Sequence, residues 1–128
     1  MPKILGIDYG TKNIGLAVSD TLQSQAFAYD TLRMSPKLLE EIKAICETEK
    51  IDKIVIGLPI GLSGNYSDKT EEVLQFIHIL ESTTKLIVDT EDERLSTVEA
   101  HKIQSGHQID EASAQIILQQ YLDRNHNY

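Results

Sequence analysis

The sequence contains no tryptophan, a single cysteine, three prolines and no long hydrophobic run. Because Cys46 is the lone cysteine, an internal disulfide and a thiolate zinc cluster are both excluded. No apolar run approaches the ~20 residues that a membrane-spanning helix needs. A strand pattern begins almost at the first residue, so we expect neither a signal peptide nor a transit peptide. We therefore expect a cytoplasmic protein that has no membrane partner.

Basic residues and aromatic residues are also scarce. The chain has 12 lysines and arginines against 20 acidic residues, a formal charge of −8, and only 5% aromatic residues. Nonspecific nucleic-acid binding usually depends on basic side chains that neutralise phosphates and on aromatic rings that stack on bases. A nucleic-acid enzyme of this composition must therefore rely on divalent metal and on local basic spots. We expect its affinity for nonspecific DNA to be poor.

The residues that are present fit an ordinary globular protein. The 128 residues, 41% of them hydrophobic and 25% charged, predict a single domain over 1–128. Hydrophobic periodicity predicts strands at 3–8, 14–20, 26–33, 53–57 and 85–89, and helices at 36–49, 68–82, 95–105 and 109–123. Three strands followed by alternating helices and strands predict an α/β fold. We expect a five-stranded mixed sheet whose first three strands are antiparallel, with helices on both faces.

Asp8 is the most informative residue in this pattern. It ends a short apolar run and is followed by Gly10, a polar turn and a second apolar run, which predicts a β-hairpin with Asp8 at the tip of its first strand. An ionised acid at the edge of a buried strand is costly unless a cation, a proton or hydrogen bonds compensate it. Asp89 ends a later predicted strand, and open sheets place their sites beyond the carboxyl ends of strands. A metal site at this edge is the simplest interpretation.

Each of these acids also has an ordinary explanation. An aspartate at the end of a strand is often a turn residue, and the acidic run 89–93 is typical of a solvated loop. Asp110 precedes a helical pattern, where its charge would interact with the helix dipole. The histidines lack the spacing of metal ligands, although His107, three residues before Asp110, could act as a proton shuttle. Taken singly, none of these residues indicates a site.

Four segments, in this order along the chain, carry a family resemblance: GIDYGTKNIGLAVSD at 6–20, VIGLP at 55–59, DERLSTVEA at 92–100 and DEASAQIIL at 110–118. Together they resemble the YqgF/RuvX family of Holliday-junction-resolvase-like proteins, which are also described as pre-16S rRNA nucleases. The resemblance covers nearly the whole chain. It implies a ribonuclease H-like fold and an endonuclease that hydrolyses phosphodiester bonds.

The resemblance also implies a set of site residues. Its catalytic acids and metal ligands correspond to Asp8, Glu93 and Asp110. Three carboxylates suit Mg²⁺ or Mn²⁺, which would activate a water and neutralise the leaving oxygen. The implied substrate contacts are Gly10, Thr11, Lys12 and Arg94. The implied partner is nucleic acid, with structured RNA preferred and a DNA junction possible.

The chain departs from the family pattern at two places. The family carries a longer loop with a basic residue before the last acid, whereas only residues 106–109 separate the predicted helix from Asp110. Asn13 stands where the family often has arginine. Both departures predict a weaker hold on the substrate.

Several alternatives remain open at this point. If the chain forms a two-fold dimer, the DNA junction resolvase is favoured, because a dimer presents two active sites. The sequence is compatible with a monomer or a homodimer. It does not determine the number of metals. Asp8, Gly10 and Thr11 also resemble the first phosphate loop of the actin, hexokinase and Hsp70 ATPases, although 128 residues leave no room for their second domain. A third alternative is a non-catalytic RNA- or protein-binding module on the same fold.

Overall fold

The structure is a computed structural model that describes residues 2–10, 12–59, 67–92 and 110–125, apart from the side chain of Asp110. Within these residues the chain forms β1 (Lys3–Tyr9), β2 (Asn13–Ser19), β3 (Ala26–Arg33), α1 (Leu38–Glu49), β4 (Ile51–Leu58), α2 (Asp68–Thr84), β5 (Ile87–Asp92) and α3 (Asp110–Asn125). No helix of the described ranges is both long and apolar enough to cross a membrane. The helix predicted at 95–105 lies outside the described residues.

The five strands form one sheet in the order β3-β2-β1-β4-β5. The pairs β1–β2 and β2–β3 are antiparallel, whereas β1–β4 and β4–β5 are parallel. The predicted mixed sheet with three antiparallel strands is therefore confirmed. Its first strand, β1, is the central one, because the hairpin partner lies on one side and the parallel crossover returns to the other.

Helices cover both faces of the sheet, as predicted. Along β1, Leu5 and Ile7 belong to the hydrophobic cluster shared with α1 and α2, whereas Ile4 belongs to the cluster shared with α3. This alternation follows from the two-residue period of a strand. The first cluster takes in Leu38, Ile42 and Cys46 of α1 with Val73, Ile77 and Leu80 of α2, and the second takes in Ala114, Ile117, Leu118, Tyr121 and Leu122 of α3.

The helix ends have local causes. Ser67 and Thr70 form a capping box that starts α2, in which the Thr70 N–H donates to the Ser67 hydroxyl and the Ser67 N–H donates to the Thr70 hydroxyl. Helix α1 begins two residues later than predicted, because Pro36 belongs to a turn in which the Leu38 N–H donates to the Ser35 carbonyl at 3.1 Å. Cys46 is buried on α1, and burial raises the pKa of its thiol to about 11.

The prediction for β5 was wrong at both ends. The strand runs over Ile87–Asp92 rather than 85–89, since β4 pairs with it as far as Leu58 opposite Asp92. Asp89 therefore lies inside the strand and not at its end. The acidic run predicted as a solvated loop is strand up to Asp92, and Glu91 within it is buried. Pairing with a neighbouring strand overrides the local preference of acidic residues for loops.

Candidate active site

Asp8 lies near the carboxyl end of the central strand and is 4% exposed. It follows Ile4 and Gly6 at two-residue intervals, so its side chain is on the face of the sheet that α3 covers. Burial of a carboxylate is costly, and a buried carboxylate near the end of a central strand is typical of a functional group. The structure thus places Asp8 where the sequence predicted it.

The neighbours of Asp8 across the sheet are two glycines. Asp8 pairs with Gly15, which in turn pairs with Thr31. On the other side, the pairing of β1 with β4, continued by one residue, brings Asp8 level with Gly57, which pairs with Glu91. Residues that lie opposite one another in a sheet share a face. Asp8 is therefore flanked by strand positions without side chains, and the next side chains in the row belong to Thr31 and Glu91.

Gly6 allows α3 to lie close to β1. A Cβ atom at Gly6 would be 2.7 Å from Cβ of Leu118 and 3.2 Å from the carbonyl oxygen of Ala114. Neither atom can move away easily, because the first is the Cβ of a buried leucine and the second belongs to the helix backbone. The glycine therefore determines how closely the helix approaches the strand that carries Asp8.

The first turn of α3 lies at the same end of the sheet as Asp8. The Thr31 hydroxyl donates a hydrogen bond to the carboxylate of Glu111, the second residue of the helix, and this bond lowers the pKa of Glu111. Thr31 belongs to the row that contains Asp8. Helix α3 therefore begins, at Asp110, beside the carboxyl end of β1, although the side chain of Asp110 lies outside what the structure describes.

Glu91 is a buried acid that was not among the residues predicted for the site. It is 6% exposed, and Nη2 of Arg124 is 2.5 Å from its Oε1. Burial raises the pKa of Glu91, and the charge of Arg124 opposes that rise. The sequence did contain a signal for Glu91: Asp89 and Glu91 are two residues apart, which would place both acids on one face if this segment were a strand.

Asp89 is held in a structural contact rather than at the sheet edge. The Tyr121 hydroxyl donates to Oδ2 of Asp89 at 2.6 Å, and Nζ of Lys53 lies 3.6 Å from the same oxygen. These contacts join β4 and β5 to α3. An acid at position 89 therefore has a structural role, because it links the strands to the helix.

The described substrate-contact candidates lie in the β1–β2 turn. A Cβ atom at Gly10 would collide with the carbonyl oxygen of Asn13, so the hairpin itself requires a glycine there. Lys12 is exposed, and its carbonyl accepts a 2.8 Å hydrogen bond from the Met34 N–H. Three further candidates, Thr11, Glu93 and Arg94, lie outside the described residues, as does His107.

The described side chains by themselves contain no group of three or more His, Cys, Asp or Glu residues that could hold a metal ion. Of the three predicted ligands only Asp8 is among them, because Glu93 and the side chain of Asp110 lie outside the description. The chemistry of the predicted set nevertheless fits Mg²⁺ or Mn²⁺, which prefer carboxylate oxygens. Asp8 also meets the positional requirement, since it is buried between glycines at the edge where α3 begins. The metal centre remains a prediction.

Comparison with known sequences identifies the family. The model of the RuvX family, described as Holliday junction resolvase, matches residues 2–124. A protein of Clostridium kluyveri named "Putative pre-16S rRNA nuclease" is 38% identical over 95% of this chain and 97% of its own length. A protein of the same name from Protochlamydia amoebophila is 40% identical over 94% of this chain and 93% of its own.

Comparison with solved structures identifies the fold. The RuvC protein of T. thermophilus, solved in complex with a Holliday junction substrate, superposes with a TM-score of 0.62 at 14% identity, covering 97% of this chain and 95% of RuvC. The Holliday junction resolvase of fowlpox virus superposes with a TM-score of 0.56 at 9% identity, covering 95% and 99%. The predicted ribonuclease H-like fold is confirmed. Because the family model matches residues 2–124 and a relative 38% identical covers 95% of the chain, the chain belongs to the RuvX family.

Proposed function

We propose that this chain, acting as a single domain, is a divalent-metal-dependent endonuclease that hydrolyses phosphodiester bonds in structured RNA, with the 5′ end of pre-16S rRNA as its substrate. The observation that carries the proposal is the burial of Asp8 at the carboxyl end of the central strand, between two glycine positions and beside the start of α3. The names of the RuvX relatives supply the class of substrate.

The proposed metal ligands are Asp8, Glu93 and Asp110. Mg²⁺ or Mn²⁺ held there would polarise a water and stabilise the charge on the leaving oxygen. The sheet fixes the position of Asp8. Because β1 is paired on both sides, Asp8 cannot shift without disturbing the centre of the sheet. Gly15 and Gly57 add no side chain at the two strand positions that flank Asp8, and glycine permits the close approach of a phosphate there.

A cleavage assay on a model pre-16S rRNA precursor tests this function. We expect Mg²⁺-dependent cutting by the native chain and at least about a hundredfold loss in each of Asp8→Asn, Glu93→Gln and Asp110→Asn, because each change removes charge from the site. Asp52→Asn is the matched control, since Asp52 is an exposed acid near the opposite end of β4. Retention of full activity by Asp8→Asn would show that the site lies elsewhere.

A four-way DNA junction is the second candidate substrate, favoured by the description of the family as Holliday junction resolvases. Symmetric cutting of a junction needs two active sites related by a two-fold axis. The same variants should therefore be assayed on a junction while sedimentation measures the oligomeric state. Junction cutting by a dimer would favour the DNA substrate, whereas cutting of RNA by a monomer would favour the RNA substrate. Binding without metal-dependent cutting of either would indicate the non-catalytic module.

A further inference from the structure

A surface groove of about 480 Å³ opens beside the β1–β2 turn, and its lining includes Lys12, Asn13, Arg33 and Met34. Backbone pairing holds this lining together: Asn13 pairs with Arg33 across β2 and β3, and the Met34 N–H donates to the Lys12 carbonyl at 2.8 Å. The two basic residues are therefore carried by backbone segments whose relative position is set by the sheet.

The groove brings two positive charges together on an acidic chain. Lys12 and Arg33 are exposed, and within the described part of the chain neither forms an ion pair. Among the other described basic side chains, three are tied to carboxylates at 3.2, 3.6 and 2.5 Å, namely those of Lys3, Lys53 and Arg124. On a chain of formal charge −8, two cations that pair with no carboxylate of the described residues form a local anion-attracting spot at one groove.

The groove lies on the same side of the sheet as Asp8. Arg33 is two residues beyond Thr31, which shares the row of Asp8, so both residues are on the face that α3 covers. Thr31 lies two strands from Asp8, which is about 10 Å, and the two further residues to Arg33 add about 7 Å along β3, so the direct distance is about 12 Å. A nucleic-acid strand carries one phosphate per about 3.4 Å of helix axis. A phosphate about three or four nucleotides from a phosphate at Asp8 would therefore reach the groove.

We propose that Lys12 and Arg33 form a binding site for the backbone phosphate of the nucleic-acid substrate, next to the candidate active site. The planar guanidinium of Arg33 can take two oxygens of one phosphate, and the ammonium of Lys12 adds a point charge. This inference rests on the proposed function for the identity of the ligand. It makes Arg33, on a third strand, a substrate-positioning residue that holds the strand while the reaction occurs at Asp8.

Direct binding tests the site independently of cleavage. The probe is a fluorescent single-stranded RNA 12-mer, with a DNA 12-mer of the same sequence, titrated by anisotropy in EDTA at several salt concentrations. We expect Arg33→Gln and Lys12→Gln each to weaken binding about tenfold at low salt and to reduce the slope of log K against log salt by about 0.7. Arg33→Lys should recover the salt slope but only part of the affinity.

Lys43→Gln is the matched control, because it removes one positive charge from an exposed position on α1, away from the groove. If Lys43→Gln weakens binding as much as Arg33→Gln, the effect is one of net charge and the proposed site is wrong. Unchanged binding in both groove variants, or no binding by the native chain, also overturns it. If the groove variants alone weaken binding while no cleavage is found, the phosphate site stands and the nuclease proposal fails.

In a cleavage assay the same variants distinguish an effect on substrate binding from an effect on the chemical step. Arg33→Gln should raise KM with little change in kcat, since it removes an interaction that substrate and transition state share. A loss confined to kcat would contradict a positioning role through the backbone phosphate.

Discussion

At the scale of single residues, Ser113 stands out. Its hydroxyl is fully buried and has no hydrogen-bond partner in the described structure. It lies one turn into α3, on the stripe that continues through Ile117 and Tyr121 toward the sheet. An unsatisfied buried hydroxyl costs about 1–3 kcal/mol, so the fold carries a local penalty close to the candidate site.

Ser113→Ala should therefore stabilise the protein. We expect the free energy of unfolding, measured by urea denaturation, to rise by about 1 kcal/mol, because the change removes an orphaned polar atom and adds helix propensity. Ser19→Ala is the matched control. The buried Ser19 hydroxyl accepts from the Ile4 N–H at 2.8 Å and donates to the Asp20 carbonyl at 2.9 Å, so its loss should destabilise. Destabilisation by Ser113→Ala would mean that the hydroxyl has a partner in solution.

At the scale of elements, α3 connects the candidate site to the rest of the sheet. Its apolar stripe packs over β1 and β2, while two glutamines hold the edge strand β3. Oε1 of Gln119 accepts from the Ala26 N–H at 2.8 Å, and Nε2 of Gln115 donates to the Ala26 carbonyl at 3.0 Å. These bonds satisfy backbone groups at the start of an exposed edge and determine where the helix lies across the strands.

Gly6→Ala tests this packing. A methyl group there would overlap Leu118 and crowd the Ala114 carbonyl, which would push α3 away from β1. We expect the free energy of unfolding to fall by about 1–3 kcal/mol, the usual cost of overpacking a core. If the proposed function is correct, cleavage should fall as well, because the helix that begins at Asp110 would move relative to Asp8. Unchanged stability would show that α3 approaches the sheet less closely in solution.

At the scale of the whole molecule, the acidic balance makes divalent metal the main expected source of positive charge at the site. The chain has 20 acidic and 12 basic residues, and three of the basic residues are held in ion pairs between described residues. Affinity for nucleic acid should therefore be modest and concentrated at the groove rather than spread over the surface.

Metal should stabilise the native chain by mass action. At an Mg²⁺ or Mn²⁺ concentration a hundred times the dissociation constant, the expected gain is about 2.7 kcal/mol, seen as a rise in Tm that EDTA reverses. Asp8→Asn should abolish most of the rise, whereas the exposed-site control Asp52→Asn should retain it. An equal rise in the native chain and in Asp8→Asn would place the bound metal elsewhere.

Local sequence was sufficient for most of the fold. The range of β3 and the start of β1 were predicted to the residue. β1 is an apolar run that would be buried in almost any arrangement, whereas β3 is a mostly exposed edge strand whose ends follow from the turn residues around it. The position of Asp8 followed in the same way. The end of β5 and the burial of Glu91 could not be predicted, because both depend on the pairing with β4 and on the salt bridge from Arg124, far along the chain.

The sequence by itself determined the order of the elements, the hairpin that carries Asp8 and the shortage of positive charge, because these depend on hydrophobic period, turn chemistry and composition. Tertiary structure alone decided that Asp8 lies between Gly15 and Gly57, that α3 begins beside it, and that Arg33 faces the same groove as Lys12. The reason is physical: register between strands and the approach of a helix are set by long-range packing, which no local pattern in the chain records.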